Sequence, residues 1–549
     1  MLLSFSIFKH SYFILFSFLV FFSCRKEDKP LPAFRLLEYT INGTTDSPAR
    51  GVDVTPVISI SFNESVLTTT LQNGISLTGL NQNVPLTFET ENNDSTIVIR
   101  ASKTLNYLTN YSFVINTILK AKNGQDFESA FNSTFTTGID SSLKFDLLSK
   151  ESLLDSIQKK TFRYFWEFGH PISGLIRERN TSGELVTSGG SGFGIMSILV
   201  GIHRNFITRQ QGLERITTIT DFLLTKADRF HGAFPHWLHG STGKTIPFST
   251  RDNGGDLVET SYLVAGLLSA SEFFDQNTDK EKDLRTKIKL IWEGVEWNWY
   301  TKNNENVLYW HWSPDYNWQM NLQIQGYNEA LITYILAASS PTFPISKAVY
   351  DEGWAKKGAI KNGRSYYGLT LPLGYDFGGP LFFSHYSFLG IDPRNLKDLY
   401  GNYWQQGVQH SLINHAHWAV NPRKFFGYSD ECWGLTASDT NNGYAAHSPT
   451  NDLGVISPTA ALSSMPYTPE QSMKALEYFY YILGDKIYRE YGFVDAFNLH
   501  NLWFASSFLA IDQGPIIIMI ENHRSGLLWN YTMKNTDVQH GLNKLGFTY

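Results

Sequence analysis

The spacing of apolar residues changes once along this 549-residue chain, and that change constrains the fold more than any other feature. Up to about residue 138, short runs alternate apolar and polar residues, as in Val57-Ile-Ser-Ile-Ser-Phe62. From about Leu143 the apolar residues recur with a period near 3.6. Alternation is typical of β-strands, and a period of 3.6 is typical of helices. The pattern therefore predicts a small β domain followed by a large, mainly α domain, and the length also favours two domains.

The β domain is predicted to cover residues 33–140. Its apolar runs are short, rich in β-branched residues, and separated by Asn, Gly, Asp or Pro. Roughly seven strands over this length are typical of an immunoglobulin-like sandwich. The wording of residues 47–66 also resembles bacterial Ig-like modules. Because acids and histidines do not cluster here, we expect a spacer or packing module. The predicted strands are 57–62, 75–77, 85–88, 96–100, 111–115 and 132–136.

The helical domain is predicted to cover residues 143–549, with strands nearly absent. Amphipathic helices alternate with nearly all-apolar ones such as 257–268, which indicates two concentric layers of helices. This arrangement predicts an (α/α)6 barrel whose loops line a cleft at one end. A helical-repeat solenoid is the alternative, but no fixed repeat period is visible. The predicted helices are 149–168, 194–207, 212–229, 256–274, 280–300, 327–338, 396–419, 469–487, 501–510, 515–522 and 526–533.

Residues 1–23 have the features of a lipoprotein signal peptide. Lys9 and His10 precede an apolar run that is shorter than the ~20 residues a membrane helix needs. Ser23-Cys24 resembles a relaxed lipobox, which predicts lipidation of Cys24 and a tether over 24–32. We expect an exported outer-membrane lipoprotein that faces either the cell surface or the periplasm. A plain secreted protein with an incidental cysteine is the alternative.

Composition excludes several classes of function. The formal net charge is -6 with both signs mixed along the chain, which does not favour nucleic-acid binding. The two cysteines give no disulfide framework, and no His/Cys/Asp group has zinc-site spacing. We therefore expect no required transition metal, and a monomer is the default oligomeric state. Aromatic residues make up 15% of the chain, and aromatic side chains suit the stacking of sugar rings.

Three acids precede a long apolar run. Asp252, Asp256 and Glu259 lie just before or within the start of a predicted helix, after the Gly254-Gly255 pair. Residues 256 and 259 share a helical face, and burial together with like charge would raise carboxyl pKa values. The same spacing is also that of a capping box. The two interpretations are compatible, because an N-cap acid can also face a cleft.

A fourth acid, Glu329, begins a second apolar helix at the end of Gln325-Gly-Tyr-Asn-Glu329. Glycoside hydrolysis needs two carboxyl groups across a cleft, one that donates a proton and one that is ionised. Acids on separate helices at one barrel mouth can meet this requirement. The alternative role of Glu329 is a favourable first-turn charge.

Aromatic and polar residues concentrate on the predicted connecting loops, which is the composition that a polysaccharide cleft needs. The candidates for substrate binding are His236, Trp237, Trp310, Trp312, Trp318, Tyr327, Asn328, His385, Tyr386, Asp452 and Glu521.

Several of these motifs together resemble one family. They are Phe162–Glu167, Gly192–Ile195, His236-Trp237, Gly255–Glu259, Gly326–Glu329, Gly454–Thr459, Asp512–Pro515 and Glu521–His523. In this order they resemble the bacterial glycoamylase-like domain, and most closely glycoside hydrolase family 144, the β-1,2-glucanases. The resemblance covers roughly residues 145–549.

The resemblance implies an (α/α)6 barrel that hydrolyses β-1,2-glucan with inversion and without a cofactor. It implies that Glu329 is the general acid and that Asp252, Asp256 and Glu259 line the catalytic cleft. The general base stays open among those three acids and Asp452. The product is expected to be sophorose or sophoro-oligosaccharides. The alternatives are an exo-acting glucosidase on another glucan, a non-catalytic glycan-binding lipoprotein and, less favoured by an acidic cleft, a polysaccharide lyase.

Overall fold

The computed structural model describes residues 32–549, so the predicted signal peptide, Cys24 and most of the predicted tether lie outside the described part. The chain divides into two compact units between Gly138 and Ile139.

The first unit is a two-sheet β domain. One sheet is antiparallel with the strand order β1-β3-β7-β6, and the other has the order β2-β9-β8-β4-β5 with β2 parallel to β9. The strands are β1 (Leu36–Ile41), β2 (Ala49–Val52), β3 (Val57–Phe62), β4 (Ile75–Gly79), β5 (Gln82–Val84), β6 (Leu86–Glu91), β7 (Thr96–Ala101), β8 (Asn110–Ile115) and β9 (Phe131–Thr137).

Alternating side chains of both sheets form one apolar core in this unit. Ile58 and Ile60 of β3 are buried together with Phe113 of β8 and Phe135 of β9. The six predicted strands are all present, and β1, β2 and β5 were not predicted. The sequence of β5, Gln-Asn-Val, carries almost no apolar alternation, because β5 lies at the edge of its sheet and buries little.

The second unit is mainly helical. Counting helices of six or more residues, the bounds are α1 (Lys150–Glu167), α2 (Ser188–His203), α3 (Arg209–Thr225), α4 (Leu257–Phe273), α5 (Asp279–Glu293), α6 (Leu331–Ser339), α7 (Tyr403–Val420), α8 (Pro458–Ser463), α9 (Pro469–Glu477), α10 (Ala510–Ser525), α11 (Leu527–Thr532) and α12 (Thr536–Leu545). Shorter helical turns are Thr68–Thr70 and Leu71–Gly74 in the first unit and Trp297–Thr301, Lys347–Val349, Tyr350–Trp354, Lys356–Gly358, Asp376–Gly378, Leu381–Ser384, Tyr386–Phe388, Tyr478–Ile482 and Gly484–Ile487 in the second.

The helices of this unit fall into two burial classes. Helices α2, α4, α6, α8 and α10 are buried over nearly their whole length, whereas α1, α3, α5 and α12 bury one face. Glycine allows the buried helices to pack closely, since a Cβ on Gly192 of α2 would lie 2.1 Å from the carbonyl oxygen of Tyr262 in α4. The nearly all-apolar helices are therefore the buried ones.

Short strands connect these helices. Their bounds are β10 (Leu185–Thr187), β11 (Trp237–His239), β12 (Thr245–Ile246), β13 (Gly255–Asp256), β14 (His311–Trp312), β15 (Ser365–Tyr366), β16 (Leu369–Thr370), β17 (Ala437–Thr440), β18 (Gly443–Ala446), β19 (Tyr488–Arg489), β20 (Gly492–Phe493), β21 (Phe497–Asn498) and β22 (Trp503–Phe504).

One predicted helix is wrong. Residues 501–510 are largely extended, and their backbone pairs with other segments: Ala505 N–H donates to Ala496 and Ala510 N–H donates to Glu178. Helices α8 and α12 were not predicted. The apolar spacing of 501–510 fits a helix, but tertiary pairing determines the conformation.

Within residues 32–549, no helix combines the length and the apolar character needed to span a bilayer.

Candidate active site

The N-terminal ends of the buried helices meet in one region of the second unit. The amide of Gly189 in α2 donates to Glu259 in α4, and the hydroxyl of Tyr262 in α4 donates to the carbonyl of Glu329 just before α6. A Cβ on Gly190 of α2 would lie 2.8 Å from Cβ of Ala510, where α10 begins. Glu259 and Glu329, which lie on two different segments, are thereby brought to one end of the buried helices. Helix N-termini carry partial positive charge, which suits such acids.

Asp256 is the N-cap of α4. Its Oδ1 accepts hydrogen bonds from the amides of Val258 (3.0 Å) and Glu259 (2.9 Å). Its side chain is fully buried. The capping interpretation of this stretch is therefore correct for Asp256, although Glu259 does not complete a capping box. The carboxylate of Glu259 instead accepts a hydrogen bond from the amide of Gly189 in α2.

Two histidines hold the other oxygen of Asp256. His236 Nδ1 lies 3.0 Å from Oδ2 of Asp256, and His311 Nε2 lies 3.5 Å from the same atom. His311 Nε2 also lies 3.1 Å from Oδ2 of Asp252. Burial alone would raise the pKa of Asp256, but its hydrogen bonds to both histidines and their charges lower it. Asp256 is thus ionised at neutral pH.

The carboxylates in turn raise the pKa values of the two histidines. Burial opposes the charged form of His236, yet Glu259, Asp256 and Asp252 raise its pKa to about 9. His311 is likewise desolvated, and its hydrogen bonds to Asp252 and Asp256 raise its pKa to about 9. The four side chains form a buried network of alternating charge.

Glu259 is held by helix α2. Its Oε2 accepts from the amide of Gly189 at 2.9 Å and from the hydroxyl of Thr187 at 3.3 Å. Burial raises the pKa of Glu259, and the neighbouring carboxylate of Asp256 adds to this effect. Glu259 and Asp256 therefore have pKa values displaced in opposite directions, which is a frequent property of catalytic acid and base pairs.

Glu329 lies just before α6, close enough to Glu259 and Asp256 for their charges to act on its pKa. It is half-buried, and no other side chain among residues 32–549 donates a hydrogen bond to its carboxyl group. Burial raises the pKa of Glu329 to about 7, with further contributions from the charges of Glu259 and Asp256. Near neutral pH this group can carry a proton to donate.

Tyr262 and Tyr386 connect the acids. The pKa of Tyr262 is raised first by burial and then by the charges of Glu329, Glu259 and Asp256. The two tyrosine rings lie 5.8 Å apart in an edge-to-face arrangement. Tyr386, which is predicted to bind substrate, is buried, and burial followed by the charges of Asp512 and Glu329 raises its pKa.

A second carboxyl pair was not singled out from the sequence. Asp512 lies in the first turn of α10, and its carboxyl group contacts that of Asp495. Burial raises the pKa of Asp495 to about 7, and burial together with Asp495 raises that of Asp512 well above its ordinary value. Two neighbouring carboxyl groups repel each other when both are ionised, so the protonated form of at least one is favoured. Asp512 did appear in the sequence as part of the Asp512–Pro515 motif before an apolar run, but nothing there paired it with Asp495.

Three of these side chains also have the chemistry of a cation site. Ligand atoms of His236, Asp252 and Asp256 all lie within 4.8 Å of one another. His311 lies between the two carboxylates and supplies positive charge there. The carboxylates are thus neutralised by the two histidines of the chain itself.

The predicted aromatic residues fall into two groups around these histidines. Trp237 packs on His236 and Phe248, and Trp310 stacks on His311. Further out, Trp312 and Trp318 belong to an aromatic cluster around Trp299. All four predicted tryptophans are half-buried, so each exposes part of its ring.

Tyr327 and Asn328 support the loop that carries Glu329. The hydroxyl of Tyr327, which is buried, is 2.9 Å from Ser384 Oγ, and Asn328 Oδ1 accepts from the amide of Ala330. Asn328 is half-buried.

We call Asp252, Asp256, Glu259 and Glu329 the acid cluster. His385 and Asp452 are not part of it. His385 is buried against Ser464, and burial lowers its pKa to about 3. Asp452 accepts from Tyr428 and lies 2.9 Å from His417 Nε2. Both therefore have structural partners.

The structure does not support the predicted role of Glu521 in substrate binding. Glu521 is fully buried near the C-terminal end of α10, where Arg204 donates to both of its oxygens at 2.6 and 2.9 Å. The rise of a helix separates it from Asp512 by about 14 Å. Glu521 forms a structural ion pair at the opposite end of the helices.

Comparisons with known proteins agree with this architecture. The family model described as "Putative glucoamylase" matches residues 321–536, and a bacterial Ig-like domain model matches residues 40–137. The exo beta-1,2-glucooligosaccharide sophorohydrolase (non-reducing end) of Parabacteroides distasonis is 46% identical over 421 residues, which make up 72% of this chain. The chain spans 58% of the length of that relative.

Two solved structures are also similar. An endo-beta-1,2-glucanase from Chitinophaga pinensis, in complex with sophorotriose and glucose, is 53% identical with a TM-score of 0.72, over 73% of this chain and 99% of that one. A beta-1,2-glucanase from Parabacteroides distasonis is 37% identical with a TM-score of 0.71, over 94% of this chain and 73% of that one. In this chain an Ig-like domain precedes the helical domain. The similarity to these structures shows that the chain belongs to the glycoamylase-like family of glycoside hydrolases.

Proposed function

We propose that this protein hydrolyses β-1,2-glucan by an inverting acid/base mechanism on an (α/α)6 barrel, releasing sophorose or sophoro-oligosaccharides. The linkage is supported by the relatives, two of which are named for cutting β-1,2-glucan and one for releasing sophorose. The mechanism is supported by the surroundings of the acids, which displace the pKa values of Glu329 and Asp256 in opposite directions.

The observation that carries the proposal is the environment of Glu329. A general acid must be protonated at the working pH and free to reach the leaving oxygen. Glu329 has a pKa raised to about 7 by burial, and its carboxyl group is not tied up by another side chain. It shares the site with Asp256, which stays ionised between two histidines. Two carboxyl groups with opposite protonation states are what glycoside hydrolysis uses.

Asp256 then stabilises charge rather than donates a proton. In an inverting reaction, positive charge develops on the sugar ring while water attacks from the face opposite the leaving group. Asp256 is held rigidly by two amides and two imidazoles, so little reorganisation is needed as this charge appears. His236 and His311 keep that carboxylate ionised.

A product assay tests this proposal. The mature chain is incubated with linear β-1,2-glucan, amylose and β-1,3-glucan, and reducing ends and chain lengths are measured. We expect cleavage of β-1,2-glucan alone. Loss of the acid in Glu329→Gln should lower kcat by roughly 10²–10⁴-fold. The control is Glu352→Gln, a half-buried glutamate on a surface turn.

The outcomes separate the alternatives. Sophorose as the only early product indicates exo action, and a ladder of products indicates endo action. Cleavage of amylose or β-1,3-glucan instead would identify a different glucan as the substrate. Binding of glucan without new reducing ends would replace the enzymatic proposal with a glycan-binding role.

We further propose that the protein is an exported lipoprotein, anchored through Cys24 to the outer membrane, and a monomer. Support comes from the apolar run before Ser23-Cys24 in the sequence. Labelling of cells with a fatty-acid analogue should mark the wild type and not Cys24→Ala. Labelling of both proteins to the same extent would remove the anchor from the proposal.

A further inference from the structure

A separate cavity lies beside the loop that carries Glu329. It has a volume of about 440 Å³ and is open to solvent. We call it the Tyr375 pocket, and the side chains that line it are Lys361, Asn362, Arg364, Tyr375, Asp376 and Thr450. None of these residues belongs to the acid cluster.

The Tyr375 pocket adjoins the acid loop through two glycines. A Cβ on Gly374 would lie 3.3 Å from Cβ of Tyr327, and a Cβ on Gly326 would lie 3.9 Å from the hydroxyl oxygen of Tyr375. Gly326 precedes Glu329 by three residues, a distance of at most about 11 Å along the chain. A glucan chain that passes Glu329 can therefore reach Tyr375 within a few sugar units.

The pocket has the chemistry that recognises sugar rings. The side chain of Tyr375 is 56% exposed, so a ring face is available for stacking. Beside it, Arg364 Nη1 lies 2.7 Å from Oδ1 of Asp376, which also accepts from the hydroxyl of Tyr366 at 2.7 Å. A guanidinium paired with a carboxylate offers donors and acceptors side by side, as neighbouring sugar hydroxyls require.

Hydrogen bonds fix the walls before any ligand arrives. Asn362 Nδ2 donates to the carbonyls of Gly374 (3.0 Å) and Tyr375 (3.2 Å), and its Oδ1 accepts from the amide of Arg364. These hydrogen bonds join the segment before β15 to the segment after β16, at the base of the hairpin. Preorganised walls reduce the entropy cost of binding.

The tip of that hairpin is also pinned. Tyr367 and Gly368 have φ values of +53° and +81°, as in the two-residue turns that match strand twist. A tyrosine rarely adopts this conformation. The hydroxyl of Tyr367 lies 2.8 Å from His417 Nδ1, and His417 Nε2 lies 2.9 Å from Oδ2 of Asp452. Asp452 thus anchors the pocket wall from a buried position.

We propose that the Tyr375 pocket is a distal glucan subsite, which binds a glucose unit of a long β-1,2-glucan chain away from the bond that is cut. This inference rests on the proposed function and extends it to chain-length preference. It gives Asp452 and His417 a positioning role, since they hold Tyr367 and the hairpin in place.

Calorimetric titration of the full mature chain tests the subsite without turnover. The parent is Glu329→Gln, and the probes are long linear β-1,2-glucan and sophorotriose. Adding Tyr375→Ala should raise the ratio of Kd for the long chain to Kd for sophorotriose about tenfold, the loss expected for one stacking contact. Arg364→Ala should raise the same ratio, and Tyr367→Phe should raise it less, because the pocket remains but its wall is no longer pinned.

Tyr549→Ala is the matched control, since Tyr549 is a surface tyrosine that is 44% exposed and does not line the pocket. An unchanged ratio in both Tyr375→Ala and Arg364→Ala would overturn the inference. A failure of the proposed function looks different: the parent itself would bind neither glucan, and the wild type would release no product, which would remove the inference as well.

Discussion

His311 is the cross-strand partner of Asp256 in the two-stranded sheet of β13 and β14, and its Nε2 lies 3.5 Å from the Oδ2 of Asp256. The same nitrogen lies 3.1 Å from Asp252. A single imidazolium therefore offsets the repulsion between two buried carboxylates. Strand pairing brings together residues that are far apart in the sequence, and it makes a dense group of acids compatible with a folded protein.

Removing this imidazolium should destabilise the helical unit. In His311→Gln the carboxylates lose their shared cation, and an uncompensated buried charge costs about 3 kcal/mol or more. The control is His239→Gln, since His239 forms an exposed pair with Glu184 whose contribution is at most about 1 kcal/mol. Urea unfolding followed by tryptophan fluorescence measures both losses. Equal losses would show that the network does not depend on His311.

The rate should fall as the pH rises through about 7. Glu329 must be protonated to act as an acid, and its pKa is raised to about 7. Above that pH, kcat/KM should fall tenfold per pH unit. His236 and His311 have pKa values of about 9, so they stay mostly charged near pH 7 and do not cause the decline there. The measurement is kcat/KM on β-1,2-glucan from pH 5 to 9.

The residual activity of Glu329→Gln provides the control for this profile. Because the variant has no titrating acid at position 329, its activity should not change near pH 7. A wild-type decline that begins near pH 4.5, the ordinary range of a glutamate, would show that Glu329 is not the donor.

Glu521 should affect stability and not chemistry. In Glu521→Gln the guanidinium of Arg204 loses its bidentate partner inside the protein, which should cost about 3 kcal/mol. The folded fraction should keep the kcat of the wild type, because the ion pair lies at the end of α10 away from Asp512. Thermal melts and kcat normalised to folded protein measure the two effects. A lower kcat in fully folded Glu521→Gln would show that Glu521 does contribute to the catalytic site.

Much of the fold could be predicted from local patterns. The change of apolar period separated the β unit from the helical unit, and all-apolar stretches such as α4 identified the buried helices. Helix α8 was missed because its six residues, Pro458–Ser463, are too few to show a period. The segment 501–510 has helical spacing but is extended, since its hydrogen bonds go to Ala496 and Glu178.

The site residues likewise fall into those that could be predicted from the local sequence and those that could not. Asp256, Glu259 and Glu329 could be predicted because acids at the start of an apolar helix are visible in sequence. The partner of Asp256 could not, since His311 is distant in the chain and only the β13–β14 pairing places it there. Asp495 carried no local signal, because it precedes no helix and meets Asp512 only in three dimensions.

Asp252 is expected to be the general base. Both oxygens of Asp256 are occupied, one by two amides and the other by two histidines. Asp252 uses one oxygen toward His311, and no donor among residues 32–549 occupies the other. That free oxygen can accept a proton from the attacking water. Asp252→Asn should therefore lower kcat by roughly 10²–10⁴-fold.

Azide separates a lost base from a damaged site. Azide needs no deprotonation, so it should restore the rate of Asp252→Asn and give a glycosyl azide of inverted configuration. The comparison is Asp512→Asn, where a carboxyl group is lost from the buried pair with Asp495 and azide should have no effect. Rescue of Asp512→Asn and not of Asp252→Asn would assign the base to the second carboxyl pair, because only a residue that activates the water can be replaced by a nucleophile that needs no activation.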